Sequence, residues 1–261
     1  MQEKSVTLTQ NKRLARHLQQ QFSKKKLSQK TKTWKTPIIT SLPLWLMNCW
    51  GQSMDTRILL NSFQEKYLWQ KIIANNLGEK FTTITDTAME FHNLVNSWQI
   101  KCSDFSSSYI TEDIATFQNI HKEFNNYCKN NKLVTISELP HLILPHLSNS
   151  NISELKFLGF DEFTPQLQTF ISSIEKIGCK IDIQDPNNYQ NSIQKRIGFD
   201  SQNQEIIKCA EWAKQIISSN DEKTIGVVVP NLEELQPKIL QVFTEIMEND
   251  IKKVNISAGT P

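Results

Sequence analysis

Glycine is scarce in this chain, seven in 261 residues, and nowhere does the spacing GxxxxGK[ST] or GxGxxG occur. A phosphate loop needs several glycines so that consecutive backbone N–H groups can face the phosphate, with a Lys and a Ser or Thr for charge and Mg²⁺. The ordinary ATP-binding loop is therefore excluded. Cysteine is sparse too: Cys49, Cys102, Cys128, Cys179 and Cys209 are odd in number, scattered and without a CxxC pair. Neither a disulfide framework nor a zinc site is encoded, and reduced, mostly buried thiols are expected. His141 and His146 lack the Glu and the spacing of HExxH, so no metal is assigned to them. No run approaches the roughly 20 apolar residues that span a bilayer, and the start has no apolar stretch of a secretory signal. The expectation is a cytoplasmic protein with no membrane partner.

What is present describes a folded chain, with 38% hydrophobic and 21% charged residues. Its length fits one large domain or a domain with a sizeable insertion. Charge is spread unevenly. Residues 1–36 hold ten Lys and Arg against one acid, Glu3, a local +9 in a chain of net +2, so the remaining 225 residues sum to −7. Such asymmetry suits a local polyanion, because fixed cations displace the counterions condensed on a phosphate backbone. The plainer reading is a solvated basic helix and loop.

Residues 5–9 read as a strand, followed by a helix from Arg13 with Leu14, Leu18 and Phe22 at helical spacing. Residues 36–40 and 42–50 repeat the unit, with Pro43 near the start of the second helix. Over 56–147 strand signals nearly vanish. Leu59, Leu60, Phe63, Tyr67, Leu68 and Ile72 make an amphipathic stripe there, and helices are predicted near 81–98, 111–130 and 137–147. The alternating pattern returns with strands at 154–160, 179–183, 195–199 and 224–229. The last, with its β-branched run between helices, predicts a buried parallel strand. Helices over 165–177, closed by Gly178, over 204–218 and from Pro230 to about Glu248 complete the pattern. The expected fold is α/β, a RecA-like parallel sheet domain from 1–55 and 150–261, interrupted by a helical insertion over 56–149.

Two places can carry chemistry. Lys12, Arg13 and Arg16 lie near a helix amino end, with Lys24, Lys25 and Lys26 further along, where cations and exposed N–H groups together suit a nucleic-acid phosphate. Trp34, Trp45 and Trp50 follow, and aromatics interleaved with basic residues are how single strands are gripped. Trp45 and Trp50, five apart with Leu42 and Leu46, are more often helix-face core than base platforms, and Trp69, Trp98 and Trp212 read as core. The second place is Asp161 and Glu162, at the end of an apolar strand as in a Walker B element, where one carboxylate would organise Mg²⁺ and the other polarise water. Without a phosphate loop they read as helix caps, a vestige at most.

Residues 7–18, 34–50, 59–69, 159–168, 225–230 and 255–259 resemble a bacterial set of DNA-repair proteins related to the AddB and RexB subunits of helicase-nucleases. The segment Gly159-Phe-Asp-Glu-Phe-Thr-Pro-Gln166 is the most specific element of the resemblance. The likeness implies a helicase-like amino-terminal region followed, beyond Pro261, by a PD-(D/E)XK nuclease domain, with Mg²⁺ required only there. In that family the first strand leads into a Walker A loop, whereas here 9–16 lacks its glycines, which implies lost ATP hydrolysis and retained DNA handling. It also implies that 40–45, from Thr40 to Trp45, lies along single-stranded DNA. Other readings are a divergent Mg-ATPase and a scaffold docking a helicase partner subunit.

Overall fold

The computed structural model describes residues 4–101, 112–147, 152–184, 195–219 and 224–256. It divides into two compact units, Met1–Tyr189 and Gln190–Pro261.

The first unit opens with β1 (Lys4–Thr9), α1 (Lys12–Ser28), β2 (Ile38–Ser41) and α2 (Leu42–Gly51). A short strand β3 (Ile58–Leu59) leads into α3 (Ser62–Leu77), a 3₁₀ turn (Glu79–Ile84) and α4 (Thr85–Ser97). Next come α5 (Glu112–Asn130), β4 (Leu133–Val134), a 3₁₀ turn (Ile136–Glu138) and two single-turn helices, α6 (Leu139–Leu142) and α7 (Leu144–Leu147). Then β5 (Ile152–Leu158), α8 (Pro165–Lys176) and β6 (Lys180–Gln184) complete a four-stranded sheet in the order β2-β1-β5-β6, parallel at every pairing.

Register sorts the side chains of this sheet into two unlike faces. Val6 pairs with Leu155 and Leu8 with Phe157, and these four are buried against Trp45, Leu46 and Trp50 of α2, Ile143 and Phe170. One residue out of phase, Thr7 pairs with Lys156 and Lys156 with Asp182, so the opposite face carries the sheet's charges beside Ile39 and Leu158. There Lys156 Nζ lies 3.4 Å from Glu154 and 3.9 Å from Asp182, and Lys180 lies 3.6 Å from Glu154. Helix α1 packs over the β1–β2 side of that face, and its Gln19 Nε2 donates to Ile39 O at 2.7 Å on the edge strand. Gly178, at φ +91°, ends α8 as predicted, supplying the left-handed residue that a helix terminus favours.

Between the two halves of the sheet sequence, α3, α4 and α5 enclose a second apolar cluster around Trp69 and Phe124, whose rings stack at 3.9 Å between centroids. On α3 the inward phase is Glu65, Leu68, Trp69, Ile72 and Ile73, the i, i+3, i+4, i+7, i+8 pattern of one helix face. The predicted stripe is corrected accordingly: Phe63 and Tyr67 fall on the other side and are 79% and 64% exposed. Trp98 and Trp212 are likewise surface rings, 42% and 50% exposed, while Trp69 is core as expected. Two-residue strands such as β3 and β4 are too short for alternation to reveal.

The second unit pairs α9 (Gln202–Ser219) with α10 (Leu232–Met247) through Ile206, Ala210, Ala213, Ile239, Val242 and Phe243. Here the predicted strands at 195–199 and 224–229 are corrected, since neither forms a strand and Val228 is 93% exposed. A β-branched run becomes a strand only when a neighbour pairs with it, and among the described residues every strand lies in the first unit. No helix of the described residues is long and apolar enough to cross a membrane.

Candidate nucleic-acid interface

Only Gln10 and Asn11 separate β1 from α1. Asn11 caps the helix: its Oδ1 accepts from Leu14 N at 2.9 Å, and its carbonyl accepts from Ala15 N at 3.3 Å. The fully buried Thr9 hydroxyl is placed to donate to Asn11 O at 2.8 Å and to Thr40 O at 3.3 Å, tying the turn to the end of β2. On the β5 side, Gly159 sits at φ +73°, and a Cβ there would collide with Leu14 Cδ2. The first turn of α1 thus seats on the end of β5, and a capping side chain takes the amide that a bound phosphate would use. We predict that Gly159→Ala lowers stability by about 1–3 kcal/mol through backbone strain and the Leu14 contact, measured by urea unfolding. A loss below about 0.5 kcal/mol would show that the turn relaxes freely.

The cations lie on the outside of this turn and helix. Lys12, Arg13, Arg16, Lys24 and Lys25 are exposed, and Lys26 is half-buried with Nζ 5.6 Å from the centroid of the Phe22 ring. Lys25 and Lys26 sit in the last turn, where the helix dipole favours cations, but the first turn carries Lys12 and Arg13 and no acid. There the positive end of the helix dipole and the cationic side chains carry the same sign.

Other expected site residues are placed differently. Trp45 is corrected to a core residue: it is 5% exposed and meets Phe170 edge to face at 6.2 Å, so neither ring face is open to a base. Thr40 is half-buried on β2, and beyond it Ser41 is buried with an unpartnered Oγ at the start of α2. Asp161 and Glu162 are exposed in the bend after Gly159. Their expected capping role is corrected too, since Thr164 Oγ1 accepts from Leu167 N at 3.4 Å and caps α8. His146 Nε2 lies 3.7 Å from Asp55 and its ring meets Trp50 edge to face. Asp55 is held below the usual carboxylate range by hydrogen bonds from Arg57, whose guanidinium lies 5.2 Å from the centroid of the Trp50 ring. Among the described residues no three His, Cys, Asp or Glu side chains gather to hold a metal ion.

Sequence reasoning missed a buried polar cluster in the helical part. His92 Nδ1 lies 3.0 Å from His121 Nε2, and both residues are buried. His92 Nε2 lies 3.1 Å from Asn96 Nδ2 and 3.2 Å from Thr135 Oγ1. Thr135 gives both its N–H and its hydroxyl to Glu138 Oε2, at 2.7 and 3.0 Å. Burial, helped by the neighbouring imidazole, pushes His92 down to about 3, and burial also lowers His121. Nearby, Glu65 is 5% exposed with an unpartnered Oε1, and burial together with the charge of Glu138 pushes it up to about 7. The signal was present in the phase of the helices: His92 follows Ala88 by four and His121 precedes Phe124 by three, both on inward faces.

No family model and no curated protein matches the chain.

Proposed function

We propose that this chain is a RecA-like, DNA-binding region without ATPase activity, belonging to a DNA-repair exonuclease of the AddB and RexB kind. It holds single-stranded DNA for a PD-(D/E)XK nuclease domain in the cytoplasm, beside a helicase partner subunit. One observation carries the reading: a two-residue turn with its helix amide already capped stands where a nucleotide's phosphates would need a loop, while exposed cations crowd the same helix end. A polyanion that lies along α1 uses those side chains without entering the turn.

The test is binding to a single-stranded oligonucleotide as a function of salt. Replacing Lys12, Arg13 and Arg16 together by Ala removes about three phosphate contacts and lowers the log–log salt slope by about 2, alike for all sequences. An unchanged slope would remove α1 from the interface. A rise in melting temperature with Mg-ATP would revive the divergent ATPase, since a ligand that binds only the folded state stabilises it. The scaffold reading draws support from exposed Phe63 and Tyr67, one turn apart on α3. It would prevail if the oligonucleotide failed to bind while a partner subunit bound through these rings.

A further inference from the structure

One chain of hydrogen bonds runs from the helical part to the sheet. It begins at His121 on α5, crosses to His92 and Asn96 on α4, and passes from Asn96 Nδ2 to Ser137 Oγ at 2.8 Å. It ends where Gln166 Nε2 of α8 donates to Ser137 O at 2.7 Å. We propose that the His92–His121 pair is an acid-sensitive latch that holds α4 and α5 on the 135–138 turn and, through that turn, on α8.

The donor pattern fixes the protonation state in which the latch is closed. The Asn96 amide carries only N–H on its nitrogen, so His92 Nε2 accepts from it and His92 Nδ1–H donates to His121 Nε2. Asn125 Nδ2 approaches the same His121 Nε2 at 3.4 Å, again as a donor. A proton added to His92 Nε2 opposes the Asn96 amide while facing the Thr135 hydroxyl oxygen at 3.2 Å, and one added to His121 Nε2 opposes two donors. The proton on His121 Nε2 breaks the His92–His121 link, and protons on both rings place two cations in contact.

No carboxylate touches either ring directly; the nearest, Glu138, is reached from His92 through the Thr135 hydroxyl. From α3 comes Glu65, which is neutral as the pH falls below about 7. The turn contributes Glu138, already engaged by Thr135 and sharing its field with Arg57. On α5 the Cys128 thiol is pushed up to about 12 by burial and stays neutral. Because both histidines sit below their ordinary value when folded, the stability they give is complete above about pH 6.5 and is lost as the pH falls, by about tenfold per unit for His92.

Hydrogen exchange of the whole chain at pH 7.5 and 5.5, corrected for intrinsic rates, tests this. At pH 5.5 amides of α4 and of 135–138 lose protection by tenfold or more, while β1 and β5 keep theirs. Equal protection of α4 at the two values, or equal loss in helices and sheet, would overturn the latch. His92→Gln with His121→Gln should flatten the pH response of α4, and persistence of the response would count against the pair. If that variant fails to fold, the imidazole resonances of the unaltered chain decide. Both rings should titrate below the ordinary histidine range in the latched form, and titration in that range without loss of α4 protection would refute the proposal.

Discussion

Trp69→Ala is expected to destabilise the helical part by about 3–5 kcal/mol, the range for deleting a fully buried large aromatic. Trp69 is 0% exposed and stacks on Phe124 at 3.9 Å, with Phe117 and His121 in parallel planes at 6.4 and 6.3 Å. Removing the indole leaves a void that faces rings from both neighbouring helices, His92 of α4 and Phe117, His121 and Phe124 of α5. Chemical denaturation followed by far-ultraviolet circular dichroism reads the loss, and Trp69→Phe should recover part of it. A loss under about 1 kcal/mol would mean that the helices close on the void, and that the indole is not the centre of their packing.

Glu65→Gln should have the opposite sign, and its size should depend on pH. The folded-state value of Glu65 is about 7, above the ordinary 4.5, so the carboxyl's favourable contribution is complete below about pH 4.5 and is lost as the pH rises through 7. At pH 8 the shift corresponds to about 3 kcal/mol, which the uncharged amide avoids. Urea unfolding of the two proteins should coincide near pH 4.5 and diverge progressively above it. Parallel curves at all pH values would show that Glu65 titrates normally and is solvated. Together with the histidines, which lose their contribution on the acid side, Glu65 confines the helical part to an optimum near neutrality.

Much of the first unit was legible because each element announced itself locally. The strand at 5–9, the helical spacing of Leu14, Leu18 and Phe22, the entry to α8 at Pro165 and Gly178 at its end are signals carried by neighbouring residues. Misread residues were those whose state depends on a distant partner. The 224–229 run has the composition of a buried strand, yet a strand is a property of two segments, and no pairing reaches it among the described residues. The spacing of Trp45 favoured a core and the family resemblance a place along DNA, and Phe170, more than a hundred residues away, shows it in the core. Phe63 and Tyr67 were assigned to the wrong side because Leu59 and Leu60, outside the helix, were counted into its period. In the candidate interface the cations and the missing glycines could be read directly. The seating of Leu14 against Gly159 could not, since nothing in either segment names the other.

The unlike faces of the four-stranded sheet also protect it against mispairing. Side chains alternate with a period of two, so a slip of β5 by a single residue along β1 would turn Glu154 and Lys156 into the layer now filled by Trp45 and Phe170, and push Leu155 and Phe157 into water. Two stranded charges and two lost apolar side chains make every odd offset prohibitive. An even offset keeps the faces but breaks the hydroxyl contact of Ser5 with Glu154, 2.7 Å in the native alignment. A sheet of only four short strands is in this way limited to a single alignment, and the turn that carries the cations inherits its position from it.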